Sequence, residues 1–239
     1  MLDEKTPWRV FWCLGPARVG ANGEYAPNAR TRGMASSSPP ADWMAPGFDD
    51  RDWGFRETVY PGYGHERGQD PWVLAAIYLR RRFGVTDPAK VKGLTLKVAF
   101  RGGAIVYVNG QEVARAHLPA GPLGPDALAE DYPPEAFLAP GGAAPLPPSP
   151  MPAKEFDERY RLRLRAMEAA IPPKLLVKGA NTLAIEIRRA PYRAELMRFH
   201  WHGVLARTLW ATAGFHAATL AAESPEGLAA SGTPAMGIQ

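Results

Sequence analysis

At 239 residues the chain is long for one domain and short for two, so one β-sandwich with insertions is the simplest count. Hydrophobic residues at 46%, including seven Trp, nine Phe and eight Tyr, can fill a sizeable core, and a charged fraction of 22% is that of an ordinary globular chain. The net charge of +4 comes through arginine more than lysine, which favours anionic partners but also suits an ordinary mixed surface.

Met1 to Lys5 contains no apolar signal-peptide core, and no run reaches the ~18 apolar residues of a membrane span. No membrane partner is expected. Localisation stays open, and a secreted or periplasmic parent is compatible with the sequence. The single cysteine, Cys13, excludes an internal disulfide and a Cys-based zinc cluster. Within Trp8 to Leu14 it reads as a small buried hydrophobe.

The first strand read with its neighbours is Ile77 to Val85, where Arg81 shares parity with Leu79 and Phe83. That arginine needs a carboxylate, or the strand must bulge. Leu94, Leu96, Val98 and Phe100 alternate with Thr95 and Lys97, the period of a half-buried strand. Ala104 to Val108 and Gln111 to Ala114 flank Asn109-Gly110, a dipeptide suited to the positive φ angles of a tight hairpin. Pro119 to Pro152 holds eleven of the 25 prolines and is expected to be dispensable for folding unless Leu123, Leu128, Tyr132 and Phe137 cover a sheet face. Arg159 to Arg165 alternates as a strand with an arginine face, while Ala166 to Ala170 favours helix. One helical turn is expected within Pro172 to Val177, then a turn at Lys178 to Asn181 and a strand from Thr182 to Arg188. Gly203 to Trp210 reads as a buried strand. The division expected is a sandwich over residues 1–213, with the Pro-rich insertion at 119–152, and a flexible tail or interdomain linker over 214–239.

Short strands with little helix point to an all-β, antiparallel sandwich. The order of certain phrases goes further. Phe48-Asp49-Asp50-Arg51-Asp52-Trp53 is followed by the 79–85 and 94–101 strands, then Tyr107-Val108-Asn109-Gly110-Gln111-Glu112-Val113, then Lys178-Gly179-Ala180-Asn181-Thr182-Leu183, and lastly Trp201-His202-Gly203-Val204. From Asp42 to Trp210 this series resembles the sugar-binding β-sandwich at the N-terminus of family 2 glycoside hydrolases, within the galactose-binding-like superfamily. The resemblance implies a jelly-roll sandwich standing beside a catalytic barrel. The Pro-rich insertion departs from that pattern, and the barrel is not in this chain. Physically, the aspartates at 49–52 can set a turn while Phe48 and Trp53 plug the sandwich end. Structural filling is the first reading for Trp53.

No phosphate loop, metalloprotease helix or serine-hydrolase elbow is present. His200 and His202 form a possible metal pair without an assignable third ligand, so neither metal nor cofactor is expected. Asp49, Asp50, Asp52, Glu66, Asp70, Glu130 and Asp131 are the carboxylates from which a glycosidase pair would be drawn, and the sequence sets none of them at a working separation. No catalytic residue is therefore assigned. The binding residues expected are Tyr63, His65, Arg67 and Trp72 in one aromatic, glycine-punctuated loop, joined by Tyr192 and Arg193. These suit a glycan, and the arginine excess favours an acidic one. The sequence reading is a non-catalytic carbohydrate-binding or accessory module, with a neighbouring catalytic domain and a glycan as partners and no nucleic acid. A purely structural accessory domain and a small jelly-roll enzyme are the alternatives.

Overall fold

The computed structural model describes residues 2–20, 23–25, 35–57, 74–138, 161–193 and 212–229. In chain order these form β1 (Trp8–Leu14), β2 (Ala17–Val19), β3 (Gly23–Tyr25), β4 (Gly54–Arg56), β5 (Leu74–Val85), β6 (Thr95–Arg101), β7 (Gly103–Val108), β8 (Gln111–Ala116), β9 (Arg165–Ala170), β10 (Gly179–Arg188) and β11 (Gly214–Ala221). Six strands pair in the order β4-β1-β5-β10-β7-β8, three in the order β11-β6-β9, and β2 pairs with β3. The strand pairings within the sheets are antiparallel. The protein is an antiparallel β-sandwich, as its sequence pattern predicts.

The core lies between the two large sheets because period-two alternation sends one set of side chains inward from each. Leu94, Leu96, Val98 and Phe100 are at most 2% exposed, and they meet Ile77, Leu79, Val106, Leu183, Ile185 and Ile187 from the larger sheet. Trp8 packs edge-on against Phe215 with centroids 5.7 Å apart, tying one sheet to the other.

The Asn-Gly hairpin has φ of 50° at Asn109 and 85° at Gly110, the left-handed geometry that Asn tolerates and Gly prefers. The Asn109 side chain then does a second job. Its Nδ2 donates to Asn181 Oδ1 and to Leu175 O, each at 2.8 Å, while its Oδ1 accepts from Thr182 N at 2.8 Å. The fully buried Asn181 amide accepts from Val177 N at 2.9 Å and donates to Val177 O at 2.7 Å. Two amides thus join the hairpin tip to the turn that starts β10.

β5 from Ala76 to Arg80 and β10 from Asn181 to Arg188 are buried on both faces. On the outer face residues 43–53 form one cover, with Trp43 stacked on Trp53 at 6.2 Å and set edge-on to Tyr78 at 5.0 Å. Trp53 is 8% exposed and fills space, in line with its first reading. The cover is fastened by Arg80, itself 1% exposed. Arg80 Nε donates to Asp50 Oδ2 at 2.8 Å, and its Nη groups donate to the carbonyls of Trp43, Ala45 and Phe48. Arg81, the residue that parity singled out, does not bulge the strand and meets no carboxylate among the described residues. It donates to Pro7 O at 3.0 Å.

Three expectations are corrected. The tail does not begin at 214: residues 214–221 are β11, paired along β6, with Phe215 fully buried. Alanine-rich composition suggested a linker, but sheet pairing and core contact outweigh weak strand propensity. The following residues also pack, since Gly227 O accepts from Thr86 N at 2.8 Å and Ala229 N donates to Gly84 O at 3.0 Å. Secondly, strand and helix are exchanged around 165. Residues 161–163 are helical and 165–170 form β9. Leu162 and Leu164 are 45% and 37% exposed, so their alternation marks no buried face. Thirdly, the first half of the Pro-rich insertion is docked. Tyr132, Phe137 and Leu138 are buried in a cluster with Ile105, Leu118 and Ala190. Residues 139–152 and 203–210 lie outside the described residues. The single turn expected near 172–177 is present as a short 3-10 turn at Pro173–Leu175.

Two outcomes follow from this packing. Asn181→Ala should lower the unfolding free energy by about 2–4 kcal/mol, because it leaves several buried backbone and amide groups unpaired. Urea denaturation reads this directly, and a loss below ~1 kcal/mol contradicts the joint. The other concerns His216, which stands at the bulge between Phe215 and Ala217. Burial, aided by the Arg101 charge, holds its imidazole down at about 3. Between that value and the ordinary ~6.5 the unfolded chain binds more protons, so stability falls as pH drops from about 6.5. His216→Leu should flatten this acid limb, measured as denaturation midpoint against pH. An unchanged slope contradicts it.

Candidate functional site

Arg188, at the end of β10, pairs with Ala76 near the start of β5 and with Gly103 at the start of β7. Arg101, ending β6, pairs with Gly214 at the start of β11. This end of the sandwich therefore collects the segments 14–18, 101–103, 116–138, 161–165, 188–193 and 212–214. Arginines concentrate on it.

Among the described residues Arg188 carries the most buried ion pair, with Nε 2.5 Å from Glu186 Oε1 and both side chains under a tenth exposed. Its Nη1 donates to Pro125 O at 2.9 Å, and its guanidinium lies 5.8 Å from the Tyr78 ring centre. Tyr107 Oη donates to Glu186 Oε2 at 3.4 Å. Tyr107 touches both outer covers, so this polar network forms the seam between them. Burial pushes the Tyr78 phenol up to about 12, and burial with nearby Glu186 and Glu112 raises Tyr107 as well. Both therefore stay protonated hydrogen-bonding groups at neutral pH.

Nearer the rim, Arg165 donates to Gly102 O at 2.8 Å and to the carbonyls of Glu130 and Asp131 at 3.0 Å, and its guanidinium lies 4.0 Å from the Tyr132 ring centre. Tyr132 Oη accepts from Gly102 N at 2.6 Å and donates to Arg163 O at 3.0 Å. Gly102, at φ 89°, is required here because a Cβ would strike the carbonyl of Arg188. His117 Nδ1 and Glu130 Oε2 are 2.8 Å apart on the exposed side, and Arg18 pairs with Asp126 at 2.9 Å. The charge on this end is held mostly by backbone carbonyls and single carboxylates.

Of the residues expected to bind a ligand, Tyr192 and Arg193 lie on this end, but in supporting roles. Tyr192 is 1% exposed, and burial lifts its phenol to about 12. Its backbone bonds Arg18 O at 2.7 Å and Gly20 N at 2.9 Å, so its ring offers no face for stacking. Arg193 donates to Asp131 Oδ2 at 3.1 Å and to Tyr132 O at 3.3 Å, stapling the docked insertion. Tyr63, His65, Arg67 and Trp72 lie outside the described residues, as do Glu66, Asp70, His200 and His202. Their loop is bracketed by Glu57 and Leu74. β4 ends opposite Trp8 and β5 begins opposite Leu14, so those brackets stand at the two ends of β1, about 20 Å apart at the rise of a strand. Leu74 enters at the arginine-rich end. Of the carboxylates considered, Asp49 is pulled down to about 2 by hydrogen bonds from Arg51, Asp50 holds Arg80, and Asp131 holds Arg193. Among the described residues no group of three or more His, Cys, Asp or Glu is placed to hold a metal, and no helix is long and apolar enough to cross a membrane.

The sequence reading did not find Glu186–Arg188 or Arg80–Asp50. The available signal was parity. Glu186, Arg188 and Arg80 all fall opposite the core positions of their strands, where a second cover has to meet them.

No protein-family model matches the chain, and no curated protein matches it. Among solved structures it is similar to Bifidobacterium dentium β-glucuronidase, at 14% identity and a TM-score of 0.40 over 78% of this chain and 19% of that one. It is also similar to Bacteroides uniformis β-glucuronidase 2, at 13% identity and a TM-score of 0.42 over 90% of this chain and 17% of that one. A glycosyl hydrolase family 2 member from Bacteroides cellulosilyticus is similar at 14% identity and a TM-score of 0.34, over 78% of this chain and 17% of that one. The chain thus spans less than a fifth of the length of each of these.

The docked insertion yields an expected outcome. Tyr132→Phe removes one hydroxyl that serves Gly102 N and Arg163 O, and should cost about 1–3 kcal/mol in chemical denaturation. No measurable loss would mean that the 119–138 segment is held by other contacts.

Proposed function

We propose that this chain is a non-catalytic, glycan-binding or accessory β-sandwich of a larger glycan-processing protein. The observation that supports this is how the phrases behind the sequence resemblance meet in three dimensions. Asn109-Gly110 is bonded to the Lys178–Asn181 turn through two side-chain amides, and Phe48–Trp53 is bonded to β5 through Arg80 and Asp50. Phrases far apart in sequence would have no reason to interlock if each were an unrelated coincidence. The expected site is the loop that carries Tyr63, His65, Arg67 and Trp72, and Leu74, which follows it, stands at the arginine-rich end. Guanidinium groups favour a carboxylated or sulfated sugar there, because the fork can form two bonds with one anion.

The second reading is a purely structural accessory domain. It draws support from Tyr192 and Arg193, both of which are spent on packing and stapling rather than presented to a ligand.

Binding of polygalacturonate and of a neutral galactan, each followed by affinity electrophoresis and by assay for released sugar, separates these readings and the enzymatic alternative. The expected result is weak binding that prefers polygalacturonate, weakens as salt passes 0.1 M, where screening falls to ~10 Å, and releases no product. Trp72→Ala and Arg67→Ala should each weaken it. Wild-type protein that retards on neither gel would leave the accessory reading standing, and product formation would favour the enzyme.

A further inference from the structure

Phe55 is 48% exposed, on an edge strand whose three residues are all exposed. Lone exposed apolar residues are ordinary, but this ring is held. Its backbone pairs with Arg9, and the Arg9 guanidinium lies 5.2 Å from the ring centre. Arg9 is in turn anchored, with Nη1 donating to Trp53 O at 3.1 Å and to Arg51 O at 3.5 Å. Its Nε and Nη2 have no hydrogen-bond partner among the described residues, and it meets no carboxylate there. The neighbouring Asp49 is already taken, since Arg51 Nε and Nη2 grip it at 2.9 and 2.6 Å. A fixed aromatic face therefore stands beside an uncompensated guanidinium with two spare donors.

We propose that Phe55 and Arg9 form a subsite for one acidic sugar residue, with the apolar face of the pyranose against the free part of the Phe55 ring and the sugar carboxylate on Arg9 Nε and Nη2. The inference rests on the glycan-binding reading and adds a position that the loop reading does not contain. The chemistry fits on both counts. A pyranose offers a flat patch of C–H groups that an aromatic ring removes from water, and a carboxylate fits the guanidinium fork with two parallel bonds. Anchoring through Nη1 pays little ordering entropy on binding, because the side chain is already fixed.

The test measures binding of polygalacturonate and of neutral galactan to the full chain, as wild type, Phe55→Ala, Arg9→Met and Arg9→Lys, with thermal midpoints recorded alongside. Phe55→Ala should weaken both ligands about tenfold, equivalent to ~1.4 kcal/mol, with its midpoint nearly unchanged. Arg9→Met should weaken polygalacturonate by a similar factor and leave galactan unaffected, and Arg9→Lys should restore only part of the loss. If wild type binds and Phe55→Ala binds equally well, the subsite is refuted while the glycan reading stands. If wild type binds neither polysaccharide, the glycan reading fails and the subsite with it. Should Arg9→Met unfold, Phe55→Ala at its exposed edge still decides the matter.

Discussion

Arg80 is a cation buried on the side of the sheet that faces away from the core, and the shape of the larger sheet follows from it. Removing a guanidinium from water costs several kcal/mol, and the cost is offset only where a carboxylate and further acceptors surround it. Asp50 and the carbonyls of Trp43, Ala45 and Phe48 supply that shell. All of them belong to a single segment, so the charge and the cover can be buried only together. The Trp43–Trp53 stack then seals the outer face over Tyr78 and Ala184. On the other half of the same face, Tyr132, Phe137 and Leu138 close over Ile105, held by Arg163, Arg165 and Arg193.

A sheet covered on both faces leaves little of its described surface open to a ligand. The described outer face is spent on packing, and its buried ion pair, Glu186 with Arg188, lies in the seam between the covers. Edges and rims are what is left. The β4 edge carries Phe55, with Arg9 of the adjoining β1 over its ring, and the rim carries His117 with Glu130. Such a division suits a module that needs a rigid body and a small contact area, since loops and edges can be specialised without disturbing the core.

The sequence disclosed those elements in which a local rule and the tertiary outcome agree. Asn109-Gly110 satisfies its turn by itself, and Leu94 to Phe100 has one wet and one dry face. β5 was legible as a strand, but its arginines were not: parity pointed to Arg81, and the buried one is Arg80, because a second cover reverses the meaning of the outer positions. β9 and β11 were missed since alanine has low strand propensity and only pairing with β6 decides their state. The docked half of the insertion was hidden by its prolines, although Tyr132 and Phe137 were already the residues in question. Tyr192 looked available because an aromatic next to arginine after a strand reads as a loop platform, and nothing local shows that β2 closes over its backbone.

Hydrogen exchange followed amide by amide tests most directly whether the two covers belong to the cooperative fold. The hydrogen-bonded amides of Trp53, Gly102, Ala129 and Glu130 should be protected on the timescale of the central strand β10, because each donates into the structure that buries the arginines. Exchange of these amides at the rates of open loops, with β10 still protected, would contradict the account and leave a two-layer sandwich whose outer face is bare.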